Sequence, residues 1–286
     1  MRAPVVTGAT NGRVLLGGMA YEVVRDWAPL PPSVPAGRIS TVAVDSTNRL
    51  HVLRRGVNPP VVVFSPEGEF VGGYGDGLIF DAHGIAIDAL NRVFVVDRDA
   101  HQVVCFTGRG DVLFIMGDRH RPAWEAPFNH PTDVAVAADG EIYVSDGYGN
   151  ARVHGFSSDG RHRLSFGRVG RGEGEFMTPH ALIVDRQNRI VVADRENNRV
   201  QLFDRAGKWL GQYGGLCRPM DLFERADGTL LVTDIVPSVT TFAPEGTRTG
   251  RGRPSLNGAH GIAGDGAGHI YLAEIDPNSI TRLNPL

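Results

Sequence analysis

The 286-residue sequence contains little cysteine and no long hydrophobic run, and its charges nearly balance. The two cysteines, Cys105 and Cys217, are too few for a disulfide framework, which favours a reducing compartment. Neither a signal-peptide-like segment at the start nor a membrane-spanning run is recognisable. A formal net charge of -3, with scattered arginines, gives no electrostatic footprint for nucleic acid or an anionic membrane. We therefore expect a cytoplasmic protein with no nucleic-acid and no membrane partner.

Turn-forming residues are abundant instead, with 37 glycines and 18 prolines. Short apolar runs alternate with Gly, Asn, Asp and Pro, a pattern typical of β-strands joined by tight turns. The apolar content of 42% is sufficient for a sizeable core. The sequence therefore predicts an all-β protein.

One short motif recurs six times, at intervals of 40 to 49 residues. The copies are Ser40–Asp45, His83–Asp88, Thr132–Ala137, His180–Asp185, Met220–Arg225 and His260–Asp265. Most copies are followed by a turn and further strand signals, so that one repeat describes four antiparallel strands. Four strands at this period are typical of a propeller blade. The sequence thus predicts a six-bladed β-propeller.

The predicted domain spans residues 1–286, with blades that start near residues 39, 80, 128, 176, 216 and 256. The sixth repeat stops after Ser279–Leu283 and lacks an outer strand. Residues Tyr21–Trp27, within the N-terminal segment 1–38, have a strand-like pattern and are expected to supply it. Closure of this kind removes the exposed edge that an open ring would present.

Three histidines occupy the first position of the motif in alternate copies: His83, His180 and His260. In a closed ring of six blades, alternate positions lie about 120° apart around the channel that the innermost strands line. Polar residues without a function are common in propeller channels. However, the probability that three of the ten histidines share one register in alternate blades by chance is on the order of one in a thousand. We therefore predict a metal site. Three imidazoles suit zinc, with iron as the alternative, far better than calcium, and they leave a position open, as catalytic sites do.

A second ring of polar residues follows the second strand of each blade. An aspartate recurs there, as Asp97, Asp146, Asp194 and Asp234. A carboxylate can accept hydrogen bonds from loop N–H groups, so we interpret these residues as structural. The other residues that follow the second strands vary between blades. Among them are Arg55, Tyr148 and Arg195, which are predicted to be catalytic. Two guanidiniums beside a metal suit a substrate carboxylate, and a tyrosine among them can act as a base. His130, just before the third copy of the motif, is a further candidate for substrate binding.

At these residues the chain resembles the peptidyl-α-hydroxyglycine α-amidating lyases, the lyase part of peptide-amidating enzymes. The matching stretches are residues 82–88, 99–103, 131–136, 143–153, 179–182 and 192–201. The resemblance extends over nearly the whole chain, and Ser145–Tyr148 and Asp194–Asn197 are more specific than a general NHL-type repeat. It implies a six-bladed propeller of NHL-type repeats.

The resemblance also implies that the three histidines hold zinc, that Tyr148 is the base and that Arg55 and Arg195 bind the substrate carboxylate. The implied reaction is non-hydrolytic cleavage of a carbinolamide C–N bond, which releases an amide and glyoxylate. The chain departs from the family at Gly258–Gly261, where the family pattern is Met-Pro-His-Asp. Because the aspartate that ligates the family's calcium is missing, we expect calcium to be bound weakly or not at all. The altered segment also predicts a widened or reshaped pocket and a different substrate.

Three functions are compatible with these observations. The first is a metal-dependent lyase acting on an α-hydroxy acid amide, a small-molecule substrate that bears a carboxylate. The second is a metal-dependent hydrolase or lactonase on a small carboxylate substrate, and the third is a non-enzymatic NHL-type binding module. The histidine register favours an enzyme, and the paired arginines favour the lyase.

Overall fold

The computed structural model describes residues 10–286, so residues 1–9 of the expected N-terminal segment lie outside the described part. The described residues form six antiparallel sheets, five of four strands and one of five. The prediction of an all-β, six-bladed propeller is confirmed. Within residues 10–286 the only helical element is the 3₁₀ turn Arg195–Asn197. A helix of the length and apolar character needed to cross a membrane is not found among these residues.

The strands follow one another in chain order. Two strands precede the first blade: β1 (Thr10–Leu16) and β2 (Met19–Val24). Blade one contains β3 (Arg38–Val44), β4 (Leu50–Arg55), β5 (Val61–Phe64) and β6 (Phe70–Tyr74). Blade two contains β7 (Ala82–Ile87), β8 (Val93–Asp97), β9 (Gln102–Phe106) and β10 (Val112–Met116). Blade three contains β11 (Asp133–Val136), β12 (Ile142–Asp146), β13 (Arg152–Phe156) and β14 (His162–Phe166).

The second half of the ring repeats this arrangement. Blade four contains β15 (Pro179–Val184), β16 (Ile190–Asp194), β17 (Arg199–Phe203) and β18 (Trp209–Tyr213). Blade five contains β19 (Pro219–Glu224), β20 (Leu230–Asp234), β21 (Val239–Phe242) and β22 (Arg248–Gly252). Blade six contains β23 (Ala259–Gly264), β24 (Ile270–Glu274) and β25 (Ser279–Pro285).

The N-terminal strands complete the sixth blade. β2 pairs antiparallel with β25, with Tyr21 opposite Pro285 and Val24 opposite Arg282. The strand expected within Tyr21–Trp27 therefore closes the ring. β1 pairs in turn with β2 and adds a fifth strand that the sequence analysis did not predict.

The hydrophobic core lies between neighbouring blades. The second strands β8 and β16 are buried along their whole length, because both faces pack against other blades. The outer strand β18 alternates half-buried and exposed residues, as expected when one face meets solvent. One interblade cluster joins Phe94 and Val96 of blade two to Ile142 and Val144 of blade three. This packing fixes the innermost strands as a ring around the channel.

Five of the six blades are braced by the acidic residue at the end of their second strand. Each carboxylate accepts a backbone N–H bond from the residue three positions before the channel motif: Phe80 to Asp97 (2.8 Å), Asn129 to Asp146 (3.0 Å), Met177 to Asp194 (3.0 Å), Cys217 to Asp234 (3.1 Å) and Asn257 to Glu274 (3.3 Å). These bonds agree with the structural interpretation of the recurrent aspartates. Blade one has Arg54 at this ladder position, opposite Ile39, just as Asp97 lies opposite Ala82. Arg55 follows it, as Arg195 follows Asp194 in blade four. The repeat thus places a cation where the other blades have an acid.

Candidate active site

His83, His180 and His260 lie near the starts of β7, β15 and β23 and meet in the central channel. The ring centroids are 5.1 Å apart in each of the three pairs, so the imidazoles form an equilateral triangle. Each ring offers a nitrogen that lies within 4.8 Å of the other two. All three side chains are buried. Within residues 10–286 this is the only group of His, Cys, Asp or Glu side chains with a geometry suited to a metal ion.

Hydrogen bonds fix the tautomer of all three rings. Nδ1 pairs with a backbone carbonyl in each case: His83 with Thr132 (2.7 Å), His180 with Met220 (2.7 Å) and His260 with Ser40 (3.0 Å). A donating Nδ1 leaves the lone pair of Nε2 free, which is the form of imidazole that binds a metal. The three carbonyls occupy the histidine register in blades one, three and five. Their alignment with the histidines is visible in the repeat, but their pairing with Nδ1 was not predicted.

The three imidazoles are held neutral. Burial is the largest cause lowering the pKa of each ring, and the positive charge of Arg55 lowers it further. The pKa of His260 falls to about 3, and the pKa values of His83 and His180 fall well below the usual range. Protons therefore do not compete for the three Nε2 lone pairs at neutral pH. A preorganised set of three neutral nitrogens fits a transition ion such as zinc and leaves a coordination position open.

Tyr148 lies beside this triangle at the channel mouth. Its hydroxyl oxygen is 3.1 Å from Nε2 of His83 and 3.1 Å from Nε2 of His180. Arg195 Nη1 donates to the same oxygen at 3.1 Å. The phenol therefore lies next to two of the three metal-binding nitrogens and next to a cation. A group that exchanges a proton with a metal-bound substrate would have to lie there.

Two guanidiniums flank the ring of Tyr148. The Cζ atoms of Arg195 and Arg98 lie 5.3 Å and 5.5 Å from its centroid. Arg98 is held by ion pairs of 2.8 Å to both Asp81 and Asp99. Arg98 was not among the predicted site residues. The available signal was its position directly after Asp97, which matches that of Arg195 after Asp194.

Arg55 approaches the triangle from blade one, across the ring from Arg195 in blade four. Its Nε and Nη2 donate to the Ser40 hydroxyl at 3.2 and 3.0 Å. Burial lowers its pKa, with a nearby carboxylate, Asp81, opposing that shift. Arg195 pairs with Glu196 at 2.8 Å. The two predicted carboxylate-binding residues thus stand on opposite sides of the mouth.

His130 lies against the loop that carries Tyr148. Its carbonyl accepts the Tyr148 N–H at 3.3 Å, and its Nδ1 is 2.9 Å from Asn129 Oδ1. Its ring packs edge-on against His101, with 4.3 Å between centroids. These contacts support a role in positioning the tyrosine, while direct contact of His130 with substrate stays a prediction.

Two carboxylates that the sequence analysis missed lie deeper in the channel. Asp133 and Asp221 directly follow Thr132 and Met220, whose carbonyls accept the histidine Nδ1–H bonds, and they line a small cavity together with the histidines. Their Oδ2 atoms accept backbone N–H bonds from Leu182 at 3.1 Å and Ile262 at 2.9 Å. Removal from bulk water is the largest cause raising the pKa of both groups, and the charge of Asp221 raises that of Asp133 further.

Gly261 stands where the amidating-lyase pattern has its calcium-binding aspartate. A Cβ at this position would lie 2.3 Å from Thr41 Oγ1 and 2.7 Å from Thr41 Cα. A carboxylate side chain therefore does not fit at residue 261 in this channel. Weak or absent calcium binding stays our prediction.

We expect Asp221→Asn to stabilise the metal-free protein progressively as the pH rises. A folded-state pKa above the unfolded value means that the wild type loses stability as the pH rises through the folded-state pKa. Between pH 5 and pH 8 the difference in free energy of unfolding should move by about 2 kcal/mol in favour of the variant. Urea denaturation at both pH values measures it, with the exposed Asp76→Asn as control. If the difference in free energy of unfolding between Asp221→Asn and the wild type does not change with pH, the raised pKa of Asp221 is contradicted.

Comparisons with known proteins agree with this architecture. The family model for the NHL repeat matches residues 81–106, 128–156 and 176–203. A probable peptidyl-alpha-hydroxyglycine alpha-amidating lyase of Caenorhabditis elegans is 30% identical over 228 residues, which cover 70% of this chain and 63% of that protein. This chain is an NHL-repeat β-propeller related to the amidating lyases. The resemblance predicted from the sequence is thereby confirmed.

Other relatives of this NHL-repeat protein differ in name. The mouse peptidyl-glycine alpha-amidating monooxygenase is 32% identical over 222 residues, covering 66% of this chain and 22% of that protein. Human NHL repeat-containing protein 3 is 30% identical over 241 residues, covering 79% of this chain and 65% of that protein. The chain thus spans less than two thirds of the length of each of these relatives. Since the name of NHL repeat-containing protein 3 states no activity, sequence similarity alone does not separate an enzyme from a binding module.

Solved structures share the fold at lower identity. A streptogramin B lyase has a TM-score of 0.70 at 12% identity, covering 96% of this chain and 98% of that chain. A gluconolactonase from Xanthomonas campestris has a TM-score of 0.69 at 15% identity, covering 93% and 90%. At such identities the likeness concerns the fold alone. The same scaffold serves a lyase and a lactonase, so the function of the NHL-repeat propeller must be argued from its site.

Proposed function

We propose that this protein is a metal-dependent lyase that cleaves the C–N bond of an α-hydroxy acid amide, releasing an amide and glyoxylate or an analogue. The observation that carries the proposal is the position of the Tyr148 hydroxyl, 3.1 Å from Nε2 of two histidines and 3.1 Å from Arg195. The candidate proton acceptor therefore lies next to two of the metal-binding nitrogens and next to a guanidinium that suits a substrate carboxylate. The relatives named as amidating lyases support the same reaction class.

The three histidines would hold the metal, for which zinc is favoured and iron is the alternative. When bound, such an ion supplies Lewis-acid polarisation of an oxygen ligand. Arg55 and Arg195 would bind the substrate carboxylate from opposite sides of the mouth, where a guanidinium fork matches the two carboxylate oxygens. These contacts would direct the hydroxyl of the carbinolamide toward Tyr148.

The reaction transfers one proton from oxygen to nitrogen. Tyr148, as the phenolate, takes the proton of the substrate hydroxyl. The electron pair of the broken O–H bond forms the C=O bond of glyoxylate, while the C–N bond breaks and leaves its pair on nitrogen. Tyr148 then returns the proton to the departing amide nitrogen. No water is consumed, so the products balance the substrate.

The two alternatives explain less of the site. A non-enzymatic binding module gives no reason for three neutral imidazoles with fixed tautomers around one point. A hydrolase or lactonase on a small carboxylate substrate would use the arginines, and the open metal position for water, but it gives no reason for the Tyr148 hydroxyl 3.1 Å from Nε2 of two histidines. The lyase uses all of these groups.

The metal requirement tests the proposal. Zinc-loaded protein should release glyoxylate from α-hydroxyhippurate, and chelation should abolish this release. One equivalent of zinc should then restore it. Glyoxylate release at the wild-type rate from fully metal-free protein would contradict the proposal.

The arginines should differ from Tyr148 in the kinetics. Arg55→Ala should raise KM by about tenfold or more with a small change in kcat, because the carboxylate loses one guanidinium. Arg195→Lys should raise KM and also lower kcat, since a point charge cannot replace the fork that donates to Tyr148. Steady-state kinetics on α-hydroxyhippurate measures both, with the exposed Arg109→Ala as control. An unchanged KM in both site variants would remove the arginines from substrate binding.

A further inference from the structure

The rim around the metal triangle has two chemically different halves. Arg55 and Arg195 come from blades one and four, so a line between them separates blades two and three from blades five and six. On the side of blades two and three, Arg98 and Tyr148 present a cation and a phenol. The position directly after the acid of the second strand is Arg98 in blade two and Gly147 in blade three, whereas Ile235 and Ile275 occupy it in blades five and six. The second half is therefore apolar at this register.

Three aliphatic side chains on this half are exposed. Ile235, Val236 and Leu256 have relative exposures of 40%, 39% and 49%. Ile235 and Val236 lie in the loop after β20, and Leu256 lies in the connection from β22 to β23. Both segments are on the face of the propeller where the histidines begin the inner strands. Exposed aliphatic side chains beside a polar reaction centre are suited to an apolar part of a ligand.

The loop after β20 approaches the β22–β23 connection closely, and Gly258 permits this. A Cβ at residue 258 would lie 2.1 Å from the carbonyl oxygen of Ile235 and 2.6 Å from its carbonyl carbon. The Ile235 N–H donates to the carbonyls of Cys217 and Arg218 at 3.2 and 3.1 Å, which holds the loop in place. The departure at residue 258 therefore reshapes the rim, because the loop with its aliphatic side chains takes the adjoining space.

We propose that Ile235, Val236 and Leu256 form an apolar subsite for a bulky hydrophobic acyl group on the substrate amide. The inference rests on the proposed lyase function. The reacting carbon carries a hydroxyl, a carboxylate and an acylated nitrogen. With the hydroxyl at Tyr148 and the carboxylate between the two arginines, the acyl group points toward blades five and six. Substrates with large apolar acyl groups are therefore preferred over those with small ones.

Two substrates that share the reacting group test the subsite. N-benzoyl-α-hydroxyglycine, which is α-hydroxyhippurate, and N-acetyl-α-hydroxyglycine differ only in the acyl group. Zinc-loaded wild type should favour the benzoyl compound by about tenfold or more in kcat/KM. The double variant Ile235→Ser with Val236→Ser should lower kcat/KM for the benzoyl compound by about tenfold and change that for the acetyl compound by about twofold or less. Leu90→Ser, 78% exposed on a turn of the opposite face, is the matched control and should change neither. Equal losses for both substrates, or no loss, would overturn the subsite.

Binding of unreactive analogues separates the subsite from the lyase reaction. N-benzoylglycine and N-acetylglycine lack the hydroxyl and cannot be cleaved as carbinolamides. Calorimetry with zinc-loaded protein should show tighter binding of the benzoyl compound by about tenfold, and the double variant should remove this preference. If the wild type cleaves neither hydroxylated substrate but this pattern holds, the lyase proposal fails and the subsite stands. Equal affinities in the wild type would overturn the subsite itself.

Discussion

Tyr148→Phe should lower kcat for glyoxylate release by about 10²- to 10⁴-fold while the metal stays bound. The substitution keeps the ring between Arg98 and Arg195 and removes only the oxygen that lies 3.1 Å from Nε2 of His83 and His180. The proton acceptor is then lost, whereas the imidazoles keep their backbone hydrogen bonds. Single-turnover kinetics on zinc-loaded protein measures the chemical step directly.

The matched control is Tyr213→Phe, which removes a phenol oxygen from the outer strand β18. It should leave kcat unchanged. KM should change little in Tyr148→Phe, because the carboxylate contacts to Arg55 and Arg195 remain. If Tyr148→Phe cleaved its best substrate at the wild-type kcat, Tyr148 could not be the base, and a hydrolase with water as nucleophile would be favoured.

His180→Ala should reduce the bound metal from about one ion per chain to a small fraction of that. The three ring centroids are all 5.1 Å apart, so the imidazoles contribute equally to the triangle. The variant removes one of the three neutral nitrogens and leaves only two ligands for the metal. Two imidazoles bind a transition ion far more weakly than three preorganised ones. Elemental analysis after gel filtration measures the loss, and glyoxylate release should fall with it.

The fold should survive this substitution. The interblade clusters and the N-terminal closure involve other residues, so the β-sheet content by circular dichroism should be retained. His162→Ala, an exposed histidine on β14, serves as control and should keep the metal. Full metal occupancy in His180→Ala would refute the assignment of this histidine as a ligand.

The sequence predicted the ring and the triangle because both depend on periodicity. A repeat of 40 to 49 residues with four strand signals determines the number of blades, and a shared register places His83, His180 and His260 in alternate blades. β1 escaped prediction because it is an additional strand outside the repeat, paired only with β2. Regular features were therefore predictable, and additions to the repeat were not.

Contacts made by the backbone were the least predictable part of the site. The carbonyls that fix the histidine tautomers leave no side-chain signal, because residues as different as Ser40, Thr132 and Met220 serve equally well. The approach of Ile235 to Gly258 depends on how two loops of neighbouring blades meet, which no single repeat records. Tertiary contacts between blades thus determine the details of the rim.

The products formed from α-hydroxyhippurate test the account most directly. A lyase breaks the bond between the amide nitrogen and the hydroxylated carbon, so zinc-loaded protein should form benzamide and glyoxylate in equal amounts. A hydrolase would break the acyl–nitrogen bond instead and form benzoate and α-hydroxyglycine, whose breakdown also yields glyoxylate. Chromatography of the aromatic product therefore decides between them. Benzamide without benzoate is the predicted result, and benzoate as the main aromatic product would contradict the account.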